Sequence, residues 1–397
     1  MRLWNRAIRC VAAGVLMVCA TACGPLASLF DPAFQPSWIS FISDDEGWAR
    51  GTWNDCASDC SVLLHTTDGG LSWQESALPP VDADRLVFAD SRNWFATHRP
   101  SRSESLYAEL WSTHDGGVTW SRVELPFGTR LTQRVVEPVI ESGSVQVPVF
   151  DTRTGVVRIL GSPVETDDFT LSEPFGIGVT SDHPSADLAL AMVRAGTATW
   201  FGVSGIAPNR PASPAAGARL IDGRWATWPL PCRSPNLPDL VAVSPTELVA
   251  SCAISDQPGS SAGEYHLYSS ADGGDTFADL GALARYGWTA KLVGAATARD
   301  LVVLVPTDDD DEPYEVRTSH DGGHTWTTTL SPKAPAGMTS TQFLGHGKFF
   351  TPTVGFVQLQ FAGQAPDAED RLYWTRDGGD SWSRFDIDRA TVTQLAP

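Results

Sequence analysis

From about residue 37 onward, apolar and polar positions alternate with a period of two over short runs, and no stretch sustains a helical period. The runs fall into groups of four, bounded by Gly, Pro, Asn, Asp and Ser, as strands joined by turns would be. The first group covers 37–42, 47–53, 61–65 and 72–76. The second covers 85–88, 94–98, 109–112 and 119–125, and the third 134–140, 144–150, 156–160 and 169–172. Four more groups open at Asp187, Asp239, Ala290 and Thr341, making seven in all. Each four-stranded unit has two apolar faces that only neighbouring units can cover, so a closed radial array is the expected solution. The predicted fold is all-β: a seven-bladed β-propeller of four-stranded antiparallel blades, forming one domain over 37–397.

A motif punctuates the groups. Thr66-Thr67-Asp68-Gly69-Gly70-Leu71-Ser72-Trp73 recurs at 113–120, 270–277, 319–326 and 375–382. Every copy has a hydroxyl two residues before Asp, then Gly-Gly, a hydroxyl and an aromatic. The Asp residues are Asp68, Asp115, Asp272, Asp321 and Asp377; the aromatics are Trp73, Trp120, Phe277, Trp326 and Trp382. Asp supplies an acceptor for turn N–H groups and Gly supplies positive φ, so each copy predicts a tight turn between a third and a fourth strand. The 157-residue gap between Asp115 and Asp272 leaves room for two worn copies, one at Asp222-Gly223 and one near 166–169, where Gly-Gly is lost.

This motif resembles the Asp-box, or BNR repeat, of sialidases, sortilin-type receptors, some glycoside hydrolases and photosystem II assembly factors. The likeness is greatest to the photosystem II assembly factor-like group, whose units pair an aromatic "GW-a-G" strand with the box, as Glu46-Gly47-Trp48-Ala49-Arg50-Gly51 does ahead of Asp68. It spans roughly residues 37–388. The resemblance implies that the boxes lie on outer turns away from any substrate and serve as scaffold.

The first 22 residues read as an export signal, with Arg2, Arg6 and Arg9 ahead of an apolar run too short to stay in a bilayer. Ala20-Thr21-Ala22-Cys23-Gly24 resembles a bacterial lipobox, which implies cleavage before Cys23, lipidation of its thiol and a tether over 23–36. The expected location is the outer face of a bacterial membrane, with the lipid as the only membrane contact. Loss of the signal leaves 25 basic against 47 acidic residues, a net charge of −22. Such a balance argues against nucleic acid as a partner. In an oxidising compartment the even set Cys56, Cys60, Cys232 and Cys252 suggests disulfides Cys56–Cys60 and Cys232–Cys252. A metal site is the rival reading for Cys56 and Cys60.

Alternating strand direction places the box turns on one face with the first-to-second turns. The second-to-third loops and blade crossings then share the other face, hereafter the loop face. These longer loops are the candidate binding surface. Blades two to four carry Arg99, Arg102, Arg153 and Arg210 there; blades five, six, seven and one carry acidic residues, including Asp308, Asp309, Asp310 and Asp311. The acidic run invites a calcium reading but lacks the spaced ligands and Gly of an EF-hand loop, so no cofactor is expected.

A sialidase would need an arginine cluster, a Tyr–Glu pair and an acid near the axis. The Arg-Ile-Pro signature is absent, Tyr265, Tyr268, Tyr314 and Tyr373 fall on third strands, and the inner strands offer only Arg85, Arg134 and Arg194. Two function classes remain: a monomeric, non-catalytic envelope propeller that binds a protein or glycan, and a sialidase-like or other glycoside hydrolase. How the ring closes is open as well. The run 391–395 could clasp the first blade or add an outer strand.

Overall fold

A computed structural model describes residues 34–394, apart from 55–60, 84, 99–108, 127–132, 136, 152, 179–186, 207–212, 232–236, 255–263, 285–289, 310, 334–342 and 362–370. Its strands form seven antiparallel sheets, each a path of four consecutive strands, arranged as a β-propeller. Blade one is Phe34–Phe41, Gly47–Trp53, Ser61–Thr66 and Trp73–Ser76. The second strands begin where the alternation predicts, at Gly47 and Trp94 in blades one and two, and the innermost strand of blade two is Arg85–Phe88. Among the described residues no helix is long and apolar enough to cross a membrane.

The core is divided among the seven blade interfaces. Trp48 and Leu63 of blade one pack with Leu86, Phe88 and Trp94 of blade two, and Val302, Leu304 and Val316 of blade six pack with Val357 and Leu359 of blade seven. Successive side chains of a strand point to opposite faces. Leu248 therefore faces blade four while Val249 faces blade six. Both faces being buried, second strands read as near-continuous apolar runs: the first six residues of Leu248–Ile254 are all buried. Trp48 stacks on Phe88 at 4.0 Å between ring centroids, the closest aromatic contact among the described residues.

Several predicted strands differ in the structure: the first is Phe34–Phe41 rather than 37–42, the first of blade seven is Phe343–Phe349, and two others change more. The span 134–140 is broken into Gln133–Val135 and Val139–Glu141. Pro138 has no N–H for the ladder, and one residue more lies on this strand than on the partner between Val135↔Val149 and Val139↔Gln146, a bulge. The span 119–125 shrinks to Ser121–Arg122. The outer strand of blade seven is equally short, Ser383–Arg384, which limits the exposed edge available for pairing there.

Ring closure combines the two possibilities left by the sequence. Val392–Thr393 pairs in parallel with Trp73 and Gln74, so it is an extra outer strand, and it lies on the first blade. Phe385 and Ile387 leading into it are buried with Phe41, Trp73 and Phe356 at the interface of blades seven and one. The Arg389 guanidinium sits 5.1 Å from the Trp53 ring centroid, pinning the tail further.

Gly274 has φ of +85°, and a Cβ there would fall 2.4 Å from Trp228 Nε1 and 3.0 Å from Leu248 Cδ1. Gly143 has φ of +71° with nothing within 4 Å. Gly143→Ala should therefore cost only the left-handed backbone penalty, about 1–2 kcal/mol. Gly274→Ala should add an overpacking cost of about 1–3 kcal/mol. Denaturant melts of both variants check the order; equal losses would mean that the Trp228 contact is not constraining.

Candidate functional site

The five repeated turns share one hydrogen-bond network. In the first, Thr66 Oγ1 accepts the Gly70 N–H at 2.8 Å and donates to Asp68 Oδ1 at 2.9 Å. Asp68 in turn accepts the Ser72 N–H at 2.9 Å and the Ser72 hydroxyl at 2.6 Å. The same bonds recur around Asp115, Asp272, Asp321 and Asp377. Both glycines of every copy have positive φ. Trp73 and Trp382 fold back so that Nε1 donates to the second-glycine carbonyl, at 3.2 and 3.1 Å.

A second turn, not singled out by the sequence, completes each unit. The first-glycine N–H donates to a carbonyl in the loop joining strands one and two: Gly69 to Asp45, Gly116 to Arg92, Gly273 to Thr246, Gly322 to Arg299 and Gly378 to Thr353, at 2.7–3.0 Å. That loop is five residues long in all five blades, and its second residue caps it. Ser43, Asp90, Ser244, Thr297 and Thr351 each accept two N–H groups from the fourth and fifth loop positions. The box turns and first-to-second turns therefore share a face, as the strand directions imply.

The worn units differ. In blade four, Asp222 and Gly223 make a two-residue hairpin turn with φ of 50° and 74°, and Ile221 pairs directly with Arg224. This is type I′ geometry rather than the five-copy network. In blade three, Asp167 turns its carboxylate to blade two, accepting the Ser112 hydroxyl at 2.7 Å. Both blades also have two-residue first-to-second turns, at 142–143 and 196–197, so the box and the five-residue loop are present or absent together.

The box face also carries contacts between blades. Arg376 Nη1 donates to the Gly69 carbonyl at 2.6 Å and Nη2 to the Asp44 carbonyl at 2.9 Å, joining blade seven to blade one. Trp200 Nε1 and Arg219 Nη1 reach the Gly273 carbonyl across blades four and five. His320 lies between Asp300 and Asp380, at 3.0 and 2.9 Å, across blades six and seven, and those carboxylates raise its pKa.

Around the axis, charges on the inner strands pair across blades. Arg85 Nε lies 3.5 Å from Glu137 Oε2, Arg194 Nε 3.4 Å from Glu141 Oε2, and Lys291 Nζ 3.3 Å from Asp239 Oδ1. Burial pushes the Asp239 carboxyl up against the pull of Lys291, but 30 % of its side chain remains open and solvent limits the shift. Arg85 opens its strand on the loop face and Arg194 closes its strand on the box face, so they form no common cluster. The side chain of Arg134 lies outside the described residues. Tyr265, Tyr268, Tyr314 and Tyr373 are on third strands, away from the axis. Burial raises the Tyr268 hydroxyl to about 12, far from the range useful to a nucleophile at neutral pH.

Much of the expected loop-face surface lies outside the described residues: Arg99, Arg102, Arg210 and Asp310, together with Cys23, Cys56, Cys60 and Cys232. Cys252 is buried on a second strand. Asp308, Asp309 and Asp311 are exposed at the tip of a built turn closed by the Thr307 N–H to the Pro313 carbonyl, 2.9 Å, and capped where Asp309 Oδ1 accepts the Asp311 N–H. Among the described residues no three His, Cys, Asp or Glu side chains converge to hold a metal ion. A small apolar pocket between blades four and five, lined by Val193, Trp200, Leu230, Leu237 and Leu240, has a cavity volume of only about 10 Å³. That is below the roughly 300–1,000 Å³ usual for ligand sites.

No protein-family model and no curated protein matches the chain. Solved structures do. Prolyl oligopeptidase B from Galerina marginata aligns at TM-score 0.56 and 9 % identity over 90 % of this chain and 52 % of that one. The β-propeller domain of the Trilobed protease from Pyrococcus furiosus, described as having an open velcro topology, aligns at 0.51 and 9 % over 90 % and 96 %. YCF48 bound to D1 peptide aligns at 0.46 and 16 % over 87 % and 94 %. At these identities the likeness is one of fold.

Hydrogen bonds from Ser72 and Thr119, hydroxyl first and then N–H, hold Asp68 and Asp115 down to about 2. Asp272 and Asp321 are lowered in the same way by Thr276 and Thr325. At Asp377 burial opposes the shift and the Ser381 bonds outweigh it. Groups with lowered folded pKa contribute stability that is present above the unfolded value, about 3.9, and is lost as pH falls through the folded value. The melting temperature should therefore drop between about pH 4 and pH 2. Asp68→Asn plus Asp115→Asn should lower it at pH 7 and flatten the acid slope, because an amide nitrogen cannot accept the hydroxyl. An unchanged slope would remove these carboxylates from the acid response. His320 carries the opposite sign: its raised pKa adds stability below about pH 6.5 that fades as pH rises.

Proposed function

We propose that this protein is a non-catalytic propeller of the bacterial envelope, anchored by lipid at Cys23, that binds a protein or glycan through its loop face. One observation carries the non-catalytic reading. Six charges on or beside the inner strands, Arg85, Glu137, Glu141, Arg194, Asp239 and Lys291, are engaged in pairs between blades, and Lys348 of blade seven is exposed. Acid–base hydrolysis of a glycoside needs two carboxyl groups facing one bond, about 5–9.5 Å apart. Carboxylates each held by a neighbouring cation serve the ring instead. The alternative, a sialidase-like or other glycoside hydrolase, rests on the motif resemblance.

Two chemical features complete the reading. Cys232–Cys252 and Cys56–Cys60 are proposed as disulfides in the oxidising compartment that an export signal leads to. The loop face is proposed to meet its partner with acidic loops on one arc and arginines on the other. Steering between exposed charges acts over about 8 Å at physiological salt.

The test has a binding arm and a turnover arm. The intact lipoprotein, carrying a photo-cross-linker beside Asp311, should capture a discrete envelope component. Changing Asp308 to Asp311 to Asn should slow that association and flatten its dependence on salt. Hydrolysis of a panel of sialosides and other glycosides that disappears in Asp239→Asn or Glu137→Gln would overturn the non-catalytic reading. Cys23→Ser should move the protein out of the membrane fraction; unchanged fractionation would remove the lipid anchor from the account.

A further inference from the structure

The described chain begins at a definite place on the ring. Phe34 opens the innermost strand of blade one, and Phe41 at the other end leads into the five-residue loop that holds Gly69. Phe41 is therefore on the box face. Phe34, paired with Trp53 at the end of the second strand, is on the loop face and close to the axis.

Ten residues lie between Cys23 and Phe34, which makes eleven Cα-to-Cα steps. Fully extended, they reach no more than about 3.3–3.6 Å each, close to 40 Å in total. A seven-residue second strand such as Gly47–Trp53 rises about 3.3 Å per residue, so the two faces stand roughly 23 Å apart. To bring the box face to the membrane, the tether would have to run outward past four strands spaced about 4.8 Å apart, then down the rim, and then reach the bilayer. The extended length is nearly consumed before the membrane is met. With the loop face toward the membrane, the whole tether is free to span the gap.

We propose that the loop face is the membrane-facing side of the propeller and that the box turns point outward. The proposal rests on the anchoring of Cys23 stated above and adds the orientation. Two consequences follow from the chemistry of the faces. The acidic turn around Asp308, Asp309 and Asp311 is repelled by anionic head groups, which favours a stand-off of more than a Debye length of about 8 Å, well within the reach of the tether. A partner that docks on these loops must enter the gap beneath the ring or arise from the membrane itself. The outward surface is built from hydrogen-bonded turns with Leu71 and Val118 exposed on them.

The two faces offer positions for a direct test. Arg153 is exposed on a second-to-third turn, and Val118 is 78 % exposed on a box turn. Arg153→Cys and Val118→Cys are labelled with a donor dye, with the unsubstituted lipoprotein as the labelling blank. Both are reconstituted into phosphatidylcholine vesicles carrying an acceptor dye on a minor head group. The expected result is a larger loss of donor fluorescence from position 153 than from 118. A larger loss from 118 would overturn the orientation and mean that the tether passes down the axis. Equal losses would overturn it too, since the ring would then have no fixed side toward the lipid. Failure of both proteins to float with the vesicles would overturn the anchor itself, and the orientation with it. A twenty-residue Gly-Ser insertion after Gly24 should reduce the difference between the two positions, because a longer tether removes the constraint.

Discussion

The structure depends on one backbone hydrogen bond repeated five times, from the first glycine of the box to the loop between strands one and two. This bond joins two turns that belong to opposite halves of a blade. It requires a donor N–H pointing out of a tight turn, which is why two successive residues of positive φ are needed and glycine supplies both. It also requires an acceptor at a fixed place, supplied by the capped five-residue loop. The Asp carboxylate and its flanking hydroxyls accept further N–H groups of the turn, so the groups that recur in all five copies are bonded within the turn itself.

The ring follows from that unit. Blades held square at one face present their apolar surfaces at a constant pitch, and the seven interfaces fill with Trp, Phe, Leu and Val. The blades without boxes find substitutes. Blade four uses a two-residue turn and lends Trp200 and Arg219 to the box of blade five, while blade three receives bonds from blade two at Asp167. The last junction, between blades seven and one, is covalently open. It is closed by Arg376, by the Thr351 and Thr353 hydroxyls on Asp44, and by the tail strand on blade one.

Much of this was legible in the residues. The repeat at Asp68, Asp115, Asp272, Asp321 and Asp377 and the four-strand alternation predict the blade number and the sharing of a face by the two turn types. The capped loop went unread because its signal is a single Ser, Thr or Asp, 24–28 residues ahead of each box Asp, and such residues are common in any turn. Pro138 is a visible ladder breaker within an otherwise regular run, so the split inner strand of blade three could have been anticipated. Contacts such as Arg85–Glu137 and His320–Asp380 were beyond the sequence: they join residues of different blades, and no local pattern says which neighbour a charge will face. Of the candidate binding loops the structure describes the Asp308, Asp309 and Asp311 turn, whose form is set by the Thr307–Pro313 bond and the cap from Asp309 rather than by charge alone.

The central claim is that the box exists to bind the first-to-second turn of its own blade. Amide hydrogen exchange at Gly69, Gly116, Gly273, Gly322 and Gly378 tests it most directly. These glycines sit in turns at the surface, where an unbonded N–H exchanges freely. The account predicts that all five exchange as slowly as amides in the second strands, and that Thr297→Ala, which removes the cap of one loop, speeds exchange at Gly322 selectively. Exchange of the five at the rate of an open turn would contradict it.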